Sequence, residues 1–234
     1  MLGRIKKILN DKTNKKLISN FLSLGILEGA NYIIPLITLP YLLRVLATDD
    51  YGIISFAQKF IQYFVLVTAF GFGISATKRI SENRLEKEKL SEIFTSVLVI
   101  KFFLMCLSIS IIFLLIFNIN FFHQDQGIYL ITFGSVVANV IFTPWFFQGL
   151  ERMKYITILN LVGRILYAIS IFMFINNEED YILVPVFNSM SLILTGALGI
   201  FIVFKKFGVK LVFNKQSIIL LFKESIFFFI SRIS

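Results

Sequence analysis

The sequence predicts an all-α integral membrane protein with six complete transmembrane helices and the start of a seventh, and three observations carry that prediction. Hydrophobic residues make up 57% of the 234, charged residues only 16%, and the mean hydropathy is +0.82. A soluble domain carries roughly 25% charged and 45–50% apolar residues, so this chain has too little polar material to cover itself in water. The apolar tracts recur almost without pause, each near or above the ~20 residues a helix needs to cross a bilayer. Lys and Arg collect in every second gap between tracts, as membrane topology demands.

Residues 1–16 form a basic, polar N-terminus. The first tract, 17–46, runs far beyond a signal-peptide core and is expected to stay as the first span. Further spans are expected over 53–77, 93–117, 128–149, 155–176 and 181–204, which makes 17–204 a six-helix transmembrane lobe. Residues 205–217 read as a connection on the side of the N-terminus, and 218–234 as the start of a seventh helix with no polar flank after it. The chain is therefore expected to be incomplete, or one lobe of a larger protein.

The basic residues set the orientation. Of the 23 Lys and Arg, eighteen fall on one side: Arg4, Lys6, Lys7, Lys12, Lys15 and Lys16; then Lys78, Arg79, Arg84, Lys87 and Lys89; then Arg152 and Lys154; then Lys205, Lys206, Lys210, Lys215 and Lys223. The opposite loops hold Asp49, Asp50, His123, Asp125, Glu178, Glu179 and Asp180, with only Arg44 at the edge. The positive-inside bias places the N-terminus in the cytoplasm. The same pattern accounts for the net charge of +9 without nucleic acid as a partner.

Five charges lie inside spans: Glu28, Lys59, Lys101, Arg164 and Arg232. Such residues are costly in hydrocarbon and face a bundle interior or a wet cavity, unless the chain is long enough to snorkel. Lys59 and Lys101 lie near span ends, within snorkelling reach. Arg164 lies nine residues past Tyr155 and twelve before Asn176, too deep for it. Polar residues recur beside these charges at helical spacing. Span one has Glu28, Asn31, Pro35 and Thr38; span two has Ser55, Lys59 and Gln62; span five has Thr157, Asn160, Arg164 and Tyr167. Thr132, Ser135 and Asn139 mark span four, and Asn188, Ser191 and Thr195 mark span six. These stripes suit helices around a hydrated interior, although Ser and Thr also glue helices together. The cavity candidates are Arg164, Lys59, Lys101, Glu28, Asn31, Gln62, Asn160 and Asn139. Lys59, Lys101 and Arg164 against Glu28 leave plus two, so the cargo is expected to be an anion. Pro35, Pro40, Pro144 and Pro185 each remove a backbone hydrogen bond at membrane depth, as bends beside a cavity or as plain kinks.

Enzymatic chemistry is not in evidence. The single cysteine, Cys106, sits within a span, which leaves neither a disulfide framework nor a thiolate metal cluster. The chain holds no GxxxxGK[ST], HExxH or GxSxG. A sugar- or phosphotransferring membrane enzyme needs carboxylates on the cytoplasmic face to hold Mg²⁺. The acidic pairs Asp49–Asp50 and Glu178–Glu179 fall on the other side, while Glu82, Glu86, Glu88 and Glu92 are interleaved with Arg84, Lys87 and Lys89 as a solvated helix start. His123 reads as a solvated loop residue. No enzyme activity, cofactor or metal is expected.

Longer strings carry a resemblance. NYIIPLITLPYLLRVL from Asn31, YGIISFAQKFIQYFVLVTAFGFGISATKRIS from Tyr51 and PWFFQGLERMKYITILNLVGRI from Pro144 resemble the Wzx-type O-antigen and polysaccharide flippases of the MATE-like superfamily. The similarity runs over nearly the whole chain, including FKESIFFFISRIS at its end. It implies one lobe of a two-lobe MATE-like transporter, with helices from the seventh onward building the second. It also implies a cargo, an oligosaccharide repeat unit on an undecaprenyl pyrophosphate carrier, moved between leaflets of the bacterial cytoplasmic membrane by alternating access. A coupling ion, H⁺ or Na⁺, and polysaccharide polymerase machinery come as partners with the same resemblance, beside the membrane lipids themselves. The rival readings are a MATE-type antiporter for small molecules, which would want an acidic cavity, and a non-transporting truncated fragment.

Overall fold

The structure, a computed structural model, describes residues 12–233, with side chains from Asn20 to Ser231. The N-terminus up to Asp11 and the side chain of Arg232, both singled out in the sequence, lie outside the described residues. Among those described there are no strands. The helices are α1 (Lys12–Val45), α2 (Thr48–Ala69), α3 (Phe72–Glu82), α4 (Lys87–Asn118), α5 (Asn120–His123), α6 (Gln126–Thr132), α7 (Gly134–Ile141), α8 (Pro144–Gly149), α9 (Met153–Phe174), α10 (Leu183–Phe207) and α11 (Lys215–Ile233), with a 3₁₀ turn over Glu178–Ile182 before α10. Six of the segments so formed are long and apolar enough to cross a membrane. The protein is an all-α integral membrane protein, as its composition predicts.

Two spans that read as continuous in the sequence are broken. The second parts into α2 and α3 at Phe70 and Gly71, both at positive φ (40° and 74°). The fourth parts into α6, α7 and α8. Its second break lies at Thr143, held out of helical geometry (φ −119°, ψ 51°) by the ring of Pro144. Pro144 also has no N–H to return to the carbonyl of Val140. The other prolines break nothing. The helix α1 runs through Pro35 and Pro40, and Pro185 is the third residue of α10, where a helix N–H has no intrahelical partner anyway.

Side chains of opposite spans fix the bundle. α9 packs on α1 and α10, α10 on α7, α2 on α7, and α3 on α8. Small residues permit the closest approaches: a Cβ on Gly196 of α10 would come within 2.5 Å of Ile141 of α7. At one end Arg84 meets Glu151 (3.4 Å), Asn20 donates to the Glu151 carbonyl (3.4 Å) and Asn214 donates to Glu92 (3.3 Å). The connections around residues 83–86, 150–152 and 208–214 thus gather with the foot of α1. At the other end the Tyr41 hydroxyl donates to the Ile175 carbonyl (2.7 Å). The basic connections share one end of the bundle, which is the arrangement that alternate spans require.

The helix α11 is docked on the six-span bundle, against α4 and α3. Arg79 of α3 grips Glu224 with two parallel hydrogen bonds, both 2.7 Å. One turn away the hydroxyls of Ser75 and Ser225 meet at 2.7 Å. Gly71 lets the two backbones touch, since a Cβ there would lie 2.8 Å from the Ser225 carbonyl oxygen.

Candidate functional site: a polar cavity within the spans

A cavity of about 330 Å³ opens between α1, α2, α9 and α10. Each helix turns one face to it: residues 35, 38 and 42 of α1, 51, 54 and 58 of α2, 160, 164 and 167 of α9, and 188, 191 and 195 of α10. These are steps of three and four, the spacing of one helical face. Polar groups line much of it: Thr38, Tyr51, Gln58, Asn160, Arg164, Tyr167, Asn188, Ser191 and Thr195. Gly163, also in the wall, lets α9 close on α10, because a Cβ there would stand 2.7 Å from the Thr195 methyl.

The hydroxyls on this wall are largely spent on their own helices. Thr38 donates to the Ile34 carbonyl, Ser191 to Asn188 and Thr195 to Leu192. The Asn160 amide donates to Ile156 (2.9 Å). Arg164 differs. Its half-buried guanidinium makes no hydrogen bond or ion pair among the described residues, with the Glu28 carboxylate near enough to attract it. The side chains of Tyr51, Gln58, Tyr167 and Asn188 also make no hydrogen bond among the described residues. The site therefore presents a cation and several unused donors and acceptors in a cavity within the spans.

The eight candidates from the sequence fall into three places. Arg164 and Asn160 line the cavity. Glu28 and Asn31 lie beside it on α1: the Asn31 amide donates to the Glu28 carboxylate (3.4 Å), and the Asn31 carbonyl oxygen is buried without a partner.

Lys101 and Asn139 meet elsewhere. Lys101 is 3% exposed, so it neither snorkels nor reaches the cavity. Its ammonium donates to the backbone carbonyl of Asn139 (2.8 Å) and lies 3.4 Å from the Asn139 side-chain oxygen, which Thr68 also approaches at 3.3 Å. Asn139 sits in the last turn of α7, just before the Pro144 break, where carbonyls lack helical donors. A cation there caps a negative helix end.

Lys59 and Gln62 are in the third place, exposed on the outer side of α2. Lys59 follows Gln58 by one residue, about 100° around the helix, and that step carries it off the cavity. The three span lysine and arginine charges thus do not pool, and among the described residues Arg164 alone brings a charge into the cavity wall.

Gln58 and Tyr51 are the wall residues that sequence reasoning passed over. The signal is there: 51, 54 and 58 repeat at helical spacing just as 55, 59 and 62 do, but only the second set carries a charge.

A polytopic helical protein with interrupted spans around a polar, cation-bearing cavity is the class that the fold and site define. The chain belongs to the polysaccharide biosynthesis protein family, whose model matches residues 17–234. The resemblance read from the strings is thereby borne out. Among curated proteins, one of Escherichia coli (strain K12) described as "Putative O-antigen transporter" is 29% identical over 192 residues, 82% of this chain and 46% of the relative. One of Shigella dysenteriae with the same description is 26% identical over 217 residues, 91% of this chain and 53% of the relative. The chain spans about half the length of these relatives. No solved structure matches it significantly.

Proposed function

We propose that the chain forms the first lobe of a flippase that moves an undecaprenyl-pyrophosphate-linked oligosaccharide repeat unit across the cytoplasmic membrane for surface polysaccharide assembly. The observation that carries the reading is Arg164, a guanidinium with its donors unspent in a cavity at mid-span. A planar fork of donors suits the oxygens of a phosphate, and the low dielectric around it strengthens the attraction. The free amides and phenols of Gln58, Asn188, Tyr51 and Tyr167 are groups suited to sugar hydroxyls. Family membership and the names of the two relatives support the same cargo class.

In this reading residues 17–204 are one lobe, 205–217 the cytoplasmic connection, and 218–234 the opening of the second lobe. The first span has the smallest buried share of the six, 11%, and its bare side together with the exposed Lys59 and Gln62 of α2 faces the cleft between lobes. The N-terminus and the basic connections lie in the cytoplasm, with a charge bias as support. Drive by a proton or sodium gradient and a neighbouring polymerase belong to the reading through the resemblance.

The test is complementation of a strain lacking its own flippase by the full-length protein. Arg164→Ala is expected to lose most surface polymer and trap lipid-linked repeat units inside, while Arg164→Lys keeps the charge and retains much of the export. Equal export by both variants, at parental expression, would contradict the assignment.

A further inference from the structure

The connection between α10 and α11 is tied to α4 rather than free. The backbone N–H of Lys210 donates to Ser91 Oγ (3.1 Å), that of Val212 donates to Thr95 Oγ1 (2.9 Å), and the Asn214 amide donates to Glu92 (3.3 Å). Ser91 and Thr95 are one turn apart, and Glu92 lies back towards the start of α4. The strap therefore descends along α4 to residue 212 and returns by residue 214. Both hydroxyls pass their own protons to helix carbonyls, Ser91 to Lys87 and Thr95 to Ser91. Each is thus used as donor and acceptor at once, and two of the strap's backbone N–H groups find their acceptors on α4.

Its depth follows from helix length. The 32 residues of α4 extend about 48 Å at ~1.5 Å each, against ~30 Å of hydrocarbon. A centred helix then leaves roughly 9 Å outside at each end. Thr95, about 12 Å from the start of α4, marks a turning point just inside the hydrocarbon boundary. There Leu211 and Phe213 are 68% and 72% exposed. With Thr95, Leu98, Val99 and Phe102 they line an open groove of about 450 Å³, almost wholly apolar. Lys210 and Lys215 are exposed on the two shoulders of the dip, and the nearby Glu92 carboxylate is engaged by Asn214.

We propose that this strap is a binding site for an anionic phospholipid, with an acyl chain in the Leu98–Phe102–Leu211–Phe213 groove and the headgroup phosphate between Lys210 and Lys215. The occupant follows from charge and depth together. The groove opens to hydrocarbon and so takes a lipid chain, and the cationic rim at headgroup level selects a phosphate with net negative charge. A lipid that merely coats the protein needs no such rim. The proposal is independent of the transport reading.

The test uses the purified full-length protein carrying Phe213→Trp, with the emission of the same protein lacking that substitution subtracted as background; Trp145, the one tryptophan of these 234 residues, is buried. Quenching is measured in bilayers of phosphatidylcholine containing brominated phosphatidylglycerol or brominated phosphatidylcholine at equal mole fraction. The expected result is a relative affinity for phosphatidylglycerol of at least about fivefold, the effect of one lysine near a charged surface, falling to near one in a Lys210→Gln/Lys215→Gln background. Equal quenching by the two lipids would overturn the proposal, as would a preference that survives loss of both lysines. If undecaprenyl phosphate displaces the quencher at a mole fraction where unbrominated phosphatidylglycerol does not, the groove belongs to an isoprenoid and the proposal also fails. Should the tryptophan variant not insert, retention of phosphatidylglycerol by the unmodified protein in native mass spectra, compared with the lysine double variant, decides the same question.

Discussion

Lys101 and Arg164 look alike in the sequence, each a lone cation within an apolar tract, yet their surroundings set them to different tasks. The ammonium of Lys101 ends on the Asn139 carbonyl at the close of a half-helix, and its removal leaves a buried acceptor unpaired. Lys101→Met is therefore expected to cost roughly 1.5–3 kcal/mol, the range for a hydrogen bond to a charged group. Lys59→Met, which removes the same charge from an exposed position, is expected to leave stability near the parent value. Thermal unfolding of the purified protein in detergent checks both, and equal melting of the two variants would contradict the cap. The difference was not legible in the sequence. A helical stripe tells which residues share a face, but not which neighbour covers it, and the partner of Lys101 is created by a proline more than forty residues further on. Arg164 was legible, because its depth in the tract leaves it nowhere else to go.

At the scale of elements, spans and their order follow from hydropathy, while breaks follow from local backbone chemistry read against packing. Gly71 lies within a tract that reads as uninterrupted, and the approach of α11 explains why a residue without a Cβ sits there. The docking of α11 makes a prediction of its own. With Ser75→Cys and Ser225→Cys in a Cys106→Ser background, mild oxidation is expected to crosslink α3 to α11, since the two hydroxyls already touch. Glu224→Arg in that protein should lower the yield by setting two arginines face to face, and Arg79→Glu added to it should restore the yield. The ion pair is partly exposed and worth no more than about 1 kcal/mol by itself, so the expected loss is partial. A yield unaffected by Glu224→Arg would show that the pair does not hold the helix. Four prolines in spans were visible from the start, and position decides their effect: Pro185 opens a helix, Pro35 and Pro40 are absorbed by α1, and only Pro144 ends one.

For the whole molecule, the alternation of basic and acidic connections was readable before any fold was known, and the bundle gathers the basic ones at a single end. Which face of the membrane that end meets is open to a direct check. Single cysteines at positions 84 and 123, again in Cys106→Ser, are expected to react with an impermeant reagent in intact cells only at 123; labelling at 84 alone would invert the topology. What the sequence overstated was the charge of the interior, because three cations summed along the chain lie in three different environments. The proposed function thus rests on one guanidinium and the polar wall around it. Its most direct measurement is the binding of undecaprenyl pyrophosphate to purified full-length protein, parent against Arg164→Gln, at fixed ionic strength. Loss of one charge-assisted contact at roughly 1.5–3 kcal/mol predicts an affinity about tenfold to a hundredfold weaker in the variant. Equal affinities for the parent and Arg164→Gln, with both proteins folded, would contradict the anion site.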